Sequence, residues 1–264
     1  MNILLCVKQV PDTERNAPDY TEGTNLVNRA DSPSVINVFD SYAVEAAARL
    51  KEQLPETVVT VLTAGPEQAK AVLKEALSIS ADKAYHICDS AFAGMDAPAT
   101  AATIASAVKK LEEQEGGFDA VFCGKLAADG ETSAVPAGIA EALDCAYASG
   151  CIEAVAQDGK LVVRRETKNG FELIECSTPC VVSFDKPEGA FRFPTIKKKL
   201  AANRAVIPQL SSAELGAAPE SATKVVRVYR PEKSSSCVTF KCDTPEEAVR
   251  NLLERMSGDN RGII

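Results

Sequence analysis

The sequence predicts an α/β fold: a doubly wound, mostly parallel sheet with added edge hairpins and a C-terminal tail ending in a helix. Three observations lead there. Short apolar runs alternate with longer helical patterns over the first two thirds of the chain. After Leu143 the pattern changes to closely spaced strands joined by Asp-Gly and Asn-Gly turns. Between the two regimes, one strand ends in a small-residue loop that leads into a helix. Strands alternating with helices imply βαβ units with right-handed crossovers, and Asp-Gly and Asn-Gly pairs are hairpin-turn chemistry.

In order, Ile3 to Val7 reads as a strand, and Phe39 to Leu54 as a helix with Phe39, Ala43, Ala47, Leu50 and Leu54 on one side. Val58 to Thr63 is strand, Gly65-Pro66 opens a helix to about Ser78, and Lys83 to Ile87 is strand. Ala97 to Glu113 is a long alanine-rich helix. Ala120 to Cys123 is a strand ending at Gly124, followed by a loop carrying Asp129 and Gly130 and a helix from near Thr132. Ile152 to Val155, Lys160 to Glu166, Phe171 to Glu175 and Cys180 to Phe184 read as strands on the edge of the same domain, with turns at Gln157-Asp158-Gly159 and Lys168-Asn169-Gly170. Pro187 to Ala218 has loop composition with a basic patch, Lys197-Lys198-Lys199. The last helix, Thr244 to Met256, opens on the capping residues Asp243-Thr244-Pro245-Glu246. This divides the chain into a domain over 1–210 and a C-terminal extension over 211–264.

With 264 residues, 45% of them hydrophobic and 25% charged, the chain can bury one large core, or one core and a satellite. A net charge of −8 argues against nucleic acid as a partner, because phosphate backbones demand a basic face. No segment approaches membrane-spanning length, and the opening residues resemble a strand more than a signal peptide, so the expected compartment is cytoplasmic. Nine cysteines, an odd count with no Cys-x-x-Cys, are expected as reduced thiols, most of them buried. His86 stands alone as a histidine, which argues against a zinc or iron–sulfur site and against Ser-His-Asp or Cys-His catalysis. A nucleotide-phosphate lysine loop and a Gly-x-Gly-x-x-Gly fingerprint are both missing, so the usual ATPase and NAD readings fail. A protein that holds a cofactor and leaves the chemistry to it fits better than one with a catalytic set of its own.

The run from Ala120 to Val135 is the most informative stretch. Where a parallel strand passes to a helix, unpaired N–H groups and the positive helix end face outward together and hold a phosphate. Small residues also suit any tight strand-to-helix turn, so the loop alone is no proof of a ligand.

Four segments together resemble the β subunit of the electron-transfer flavoproteins. They are Cys6-Val-Lys-Gln-Val-Pro-Asp-Thr13, Ile36 to Glu52 with its Asn37-Val-Phe-Asp40 turn, Thr63-Ala-Gly-Pro66 with its helix through Ala84, and Gly124 to Ala140. Their order and spacing hold over about residues 1 to 210. The resemblance implies an electron carrier rather than a classical enzyme, half of an αβ heterodimer whose α subunit bears FAD. The β subunit would bury an adenine nucleotide: AMP in simple carriers, or a second FAD in those that perform electron bifurcation. Positions matching the family's nucleotide pocket are Cys6, Val7, Lys8, Asn37, Thr63, Ala64, Gly124, Ala127, Asp129, Glu131, Thr132, Ser133, Ala134 and Val135. Phe39 matches an aromatic turned toward the α-subunit flavin. Arg192 to Lys199 matches a segment that docks acyl-CoA or other flavin dehydrogenases, with Ile196 as apolar anchor among Lys197, Lys198 and Lys199. NADH would be used only through the complex.

The sequence departs from the family pattern at several places. Val38 replaces a proline, Ser133 to Ala137 lack the usual glutamine, and Lys168-Asn169 replace acidic or glycine residues. Asp12-Thr13 carry no aromatic, and Gly130-Glu131-Thr132 resembles the bifurcating branch's Gly-Asp-Thr, which favours FAD over AMP. A nucleotide hydrolase or synthetase of related fold, and a stand-alone adenine-nucleotide-binding module, are the competing readings.

Overall fold

The structure is a computed structural model, and it describes residues 1–12, 33–157, 159–216, 219–226 and 237–258. Thr13 of the first family segment, Asp158 of the first hairpin turn and Ala218 at the end of the basic loop lie outside the described residues. The chain separates into two units, Met1–Val226 and Arg227–Ile264.

In the first unit the elements run β1 (Asn2–Cys6), β2 (Gln9–Pro11), β3 (Ser34–Ile36), α1 (Val38–Gln53), β4 (Val58–Ala64), α2 (Lys70–Ile79) and β5 (Lys83–Ile87). They continue through α3 (Ala97–Glu115), β6 (Ala120–Gly124), α4 (Val135–Leu143), β7 (Ala146–Gln157), β8 (Lys160–Thr167), β9 (Gly170–Cys176) and β10 (Cys180–Phe184). The unit closes with α5 (Ile196–Arg204), β11 (Gln209–Leu210) and the short α6 (Ser212–Leu215).

One sheet carries nine strands in the order β11-β5-β4-β1-β6-β10-β7-β8-β9. From β11 to β7 every neighbouring pair is parallel, and β8 and β9 continue the sheet as antiparallel hairpins. The strand alternation distributes side chains to two cores. Ile3 and Leu5 of β1, Phe122 of β6 and Val182 of β10 join α1 and α2 on one face. Leu4, Val121 and Val181 join α3 and α4 on the other. Two covered faces make the sheet doubly wound, and each fully buried leucine or phenylalanine in it contributes roughly 1.5–3 kcal/mol.

Helix starts have local causes. Asp96 accepts the Ala99 N–H at 3.0 Å and Pro98 sits in the first turn of α3. Asp96 also accepts from the N–H and hydroxyl of Thr223, which ties the end of the first unit to this cap.

Three expectations need correction. Cys180 to Phe184 is not an edge strand: β10 lies between β6 and β7, parallel to both, and all five of its residues are buried. The helix after the small-residue loop begins at Val135 rather than near Thr132, because Glu131 and Ser133 take left-handed backbone (φ 51° and 53°) that no helix accommodates. Pro187 to Ala218 is not all loop. Its basic patch lies on α5, which Thr195 caps by accepting the Lys198 N–H at 3.3 Å. The strand sought at Ile152 to Val155 is the middle of the longer β7, and both hairpins form, pairing Gln157 with Lys160 and Thr167 with Gly170.

In the second unit, α7 (Pro245–Gly258) starts where Thr244 accepts the Glu247 N–H at 3.3 Å, with Glu246 and Glu247 complementing the helix dipole. Val249, Leu252 and Leu253 are exposed. Among the described residues, no helix is long and apolar enough to cross a membrane.

Candidate functional site

The carboxyl ends of β1, β4 and β6 lie side by side, since β1 pairs with both of the others. Ligands of parallel sheets sit beyond such ends. Twelve of the fourteen predicted pocket positions are on these strand ends or on the segments that follow them; Asn37 arrives from the turn before α1, and Val135 opens α4.

Asn37 organises the place. It occupies the position before α1 where asparagine ordinarily caps a helix, but its side chain makes no cap bond. Instead its Nδ2 donates to the Leu126 carbonyl at 2.7 Å and its Oδ1 accepts the Ala128 N–H at 3.1 Å. Its own N–H donates to the Lys8 carbonyl at 2.9 Å. One buried amide therefore fastens the loop after β6 to the turn after β1.

Asp40 was not among the sequence candidates. It is buried, and its carboxylate accepts the N–H groups of Lys8 at 2.7 Å and Gly124 at 3.1 Å. Burial pushes its pKa up to about 7; hydrogen bonds from Asn37, Lys8 and Gly124 and the charge of Lys8 oppose that rise. Gly124 has a packing reason different from close approach of a ligand. A Cβ there would lie 2.3 Å from Asp40 Oδ1, 2.6 Å from the Asp40 nitrogen and 2.6 Å from the Phe39 carbonyl carbon. The start of α1 occupies the space that the missing side chain leaves.

The loop itself is half fixed and half open. The Ala127 carbonyl accepts the N–H groups of Gly130 at 3.1 Å and Glu131 at 2.8 Å, and Lys8 Nζ pairs with Asp129 at 2.8 Å. Beyond this turn, Glu131, Thr132, Ser133 and Ala134 are exposed, while Val135 is half-buried. The backbone N–H groups of Thr132, Ser133 and Ala134 have no partner among the described residues. Left-handed backbone at Glu131 and Ser133 turns this run at the positive end of α4, a concave arrangement that suits an anion. Thr63 is spent internally, donating its hydroxyl to the Val7 carbonyl at 2.6 Å, and Val7 is buried, whereas Cys6 and Ala64 are half-buried and pack against the core on the α3 and α4 side. The hydrogen bond with Cys6, burial and the Asp40 charge hold the Cys123 thiol protonated.

Phe39 is half-buried, with Lys125 Nζ 5.8 Å from its ring centroid and Tyr42 edge-on at 5.6 Å. Tyr42 in turn stacks on Phe191 at 5.5 Å, so rings connect this site to the predicted docking segment. That segment is anchored by Arg192, which binds the buried Glu45 at 2.9 Å and Glu52 at 2.7 Å. Although burial opposes it, the hydrogen bonds from Arg192 and Arg49 hold the Glu45 carboxyl below its ordinary range. Phe193 is 91% exposed and Ile196 80% exposed. Lys197 and Lys199 face solvent beside them, while Lys198 reaches back to the Ile79 carbonyl at 3.1 Å and caps α2. A cavity of about 550 Å³ lies under α5, lined by Lys51, Glu52, Ile79, Asp82, Arg192 and Ala202, well away from the strand ends. Two of its cations are paired with its own acids, Lys51 with Asp82 and Arg192 with Glu52, and Lys198 also lines it.

Comparison with known proteins adds to this geometry. The family model for the electron transfer flavoprotein domain matches residues 24–215. The chain is 37% identical to the electron transfer flavoprotein subunit beta of Thermoanaerobacterium thermosaccharolyticum, covering 97% of this chain and 98% of that protein. It is 35% identical to the subunit of the same name from Megasphaera elsdenii, again over 97% and 98%. It is 33% identical to the caffeyl-CoA reductase-Etf complex subunit CarD of Acetobacterium woodii, with the same coverage.

Proposed function

The chain belongs to the electron transfer flavoprotein family as a β subunit, and from that premise we propose that it binds an adenine nucleotide, FAD in preference to AMP, beyond the ends of β1, β4 and β6. Paired with an FAD-bearing α subunit, it passes electrons between dehydrogenases in the cytoplasm. The observation that carries the reading is the run of N–H groups at Thr132, Ser133 and Ala134, unpartnered among the described residues and turned at the start of α4, in a loop whose first part Asn37 ties to the residues after β1. Backbone donors at a helix N-terminus match the oxygens of a diphosphate, and Ser133 adds a hydroxyl. Cys6, Val7, Lys8, Asn37, Thr63, Ala64, Gly124 and Ala127 would form the floor and wall for the adenosine. Lys8, paired with Asp129, would keep that acid from repelling the phosphates.

The flavin, when bound, supplies the reversible acceptance of electrons; this chain binds and orients it and excludes water. Phe39 would meet the α-subunit flavin. Gly130-Glu131-Thr132 supports a place in the electron-bifurcating branch, in which NADH would act through the complex. Phe193, Ile196, Lys197 and Lys199 would dock an acyl-CoA or other flavin dehydrogenase, burial giving affinity and charge steering encounter. The C-terminal extension, with Val249, Leu252 and Leu253 of α7, would pack on the α subunit.

The test is to co-express the chain with its genomic neighbour, purify the pair and identify the extracted nucleotides by mass. Two FAD per heterodimer is the expected result. One FAD and one AMP would place the protein among simple carriers. No adenine nucleotide in the β site, or no complex, would overturn the reading.

A further inference from the structure

Beyond the nucleotide site, a second group of chemically active side chains gathers at the far side of β4, and its ligands come from three separate positions in sequence. In β5 and the residue after it, the two-residue repeat of a strand sends His86 and Cys88 to the same face. The Gly65-Pro66 turn that follows β4 brings Glu67 over them. One ligand atom from each of Glu67, His86 and Cys88 lies within 4.8 Å of the other two, and Cys88 Sγ is 3.9 Å from Glu67 Oε2. Tetrahedral zinc holds nitrogen, oxygen and sulfur ligands about 3.3–3.7 Å apart, given bond lengths near 2.0–2.3 Å, so a movement of about 1 Å closes the set.

His86 supplies an independent observation. It is completely buried. A carbonyl oxygen only accepts, so the 2.9 Å contact between Nε2 and the Gly65 carbonyl places the ring proton on Nε2. Nδ1 is then a bare lone pair, and it is buried without a hydrogen-bond partner among the described residues. Buried acceptors are ordinarily satisfied, and an orphaned one calls for a water or an ion. Metal-binding histidines commonly donate their second ring nitrogen to a backbone carbonyl, which is the bond His86 already makes.

We propose that Glu67, His86 and Cys88 bind one divalent transition-metal ion of the zinc class, with water in the fourth position. The donor set, one imidazole nitrogen, one sulfur and one carboxylate oxygen, is the borderline-soft combination that zinc favours over magnesium or calcium. The neighbouring groups leave the ligands available. Lys70 holds Glu67 through Oε1, and Gln209 donates to Oε2 at 2.7 Å, so Oε2 exchanges one neutral donor for the metal. Asp89 is turned to the Ala91 N–H and Ser212. A cysteine ligates as the thiolate, so binding releases the Cys88 proton to solvent and forms a thiolate–metal bond, with no change of oxidation state, and affinity rises with pH. The lone histidine and the absence of Cys-x-x-Cys hide this set in the sequence.

The full chain, purified with its partner and stripped with a chelator, is titrated with Zn²⁺ against a chromophoric competitor. Co²⁺ is the optical probe, since tetrahedral cobalt–thiolate bands lie beyond 550 nm, outside oxidised-flavin absorption. The expected result is one ion per chain, with proton release, and affinity at least about tenfold lower in Cys88→Ser and in Glu67→Gln. Both positions reach the surface, so folding is checked by an unchanged circular dichroism spectrum, and Cys237→Ser serves as the control with unaltered binding. No stoichiometric binding, or equal binding by Cys88→Ser, overturns the proposal, while the nucleotide content of the same preparations tests the family reading separately.

Discussion

The strand-end site and the docking segment are both surface features, but they are held in opposite ways. At the strand ends, Asn37 and Asp40 are buried and spend their polar atoms on the backbone of Lys8, Gly124, Leu126 and Ala128, which fixes the loop that presents the exposed N–H groups. The proposed docking segment is anchored by Arg192 on Glu45 and by Lys198 on the Ile79 carbonyl, while Phe193 and Ile196 between them are left in solvent. On the proposed roles, a ligand that must be oriented would meet a preset backbone, while a partner met in transit would be offered an apolar knob on a firm base. Damage to the first should spread through the fold, and damage to the tip of the second should stay local.

The largest expected effect tests that contrast directly. Gly124→Ala places a methyl 2.3 Å from Asp40 Oδ1 and 2.6 Å from backbone atoms of α1, which have nowhere to retreat. Overpacking of this kind costs about 3 kcal/mol or more. A fall in thermal midpoint should accompany loss of the bound nucleotide; a variant as stable as the parent would show that the start of α1 is free to move.

Arg192→Ala is the matching lesion at the base of the docking segment. Glu45 keeps Arg49 but loses its principal partner while still buried, at a cost of about 2 kcal/mol by denaturant unfolding. The pH sign follows from the lowered Glu45 pKa. Its contribution is present above the ordinary glutamate range and is lost as pH falls through the depressed value, so the variant should lose less stability on acidification than the parent. Nucleotide content should not change.

Asp40→Asn produces a slope rather than a loss. A carboxyl raised from 3.8 to about 7 binds its proton more tightly in the folded state, so its contribution is fully present below pH 4 and declines as pH rises toward 7. The asparagine variant should flatten that decline in stability measured from pH 4 to 8. An unchanged profile would mean that the carboxylate is charged throughout.

What the sequence disclosed, and what it hid, follows the same physics. Strand-helix alternation, the hairpin turns and the loop from Gly124 to Val135 are local patterns, and they were legible. Asp40 in a first helical turn reads as an ordinary complement to the helix dipole, and nothing local tells that Lys8 and Gly124 converge on it. Glu45 reads as a surface residue for the same reason, since Arg192 lies 147 positions away. The helix α5, Ile-Lys-Lys-Lys-Leu-Ala-Ala-Asn-Arg, has no apolar stripe to announce it, and only Ala202 is buried. Cys180 to Phe184 did carry a signal: an unbroken buried run marks a strand covered on both faces, whereas the hairpins preceding it suggested an edge.

The smallest effect on the fold is the one that most sharpens the comparison. Ile196 starts α5 and is 80% exposed, so Ile196→Ala removes almost no buried surface and should change unfolding stability by less than about 0.5 kcal/mol. If the segment docks dehydrogenases, the same truncation removes the apolar anchor from that interface and should lower the rate of electron delivery at limiting dehydrogenase several-fold, leaving flavin content intact. Raising the salt concentration should slow encounter through Lys197 and Lys199 in parent and variant alike, because the charges steer and the isoleucine holds. Equal rates for parent and variant at every dehydrogenase concentration would remove Ile196 from the interface, and would leave the exposed rim of the docking segment without the role that distinguishes it from the strand ends.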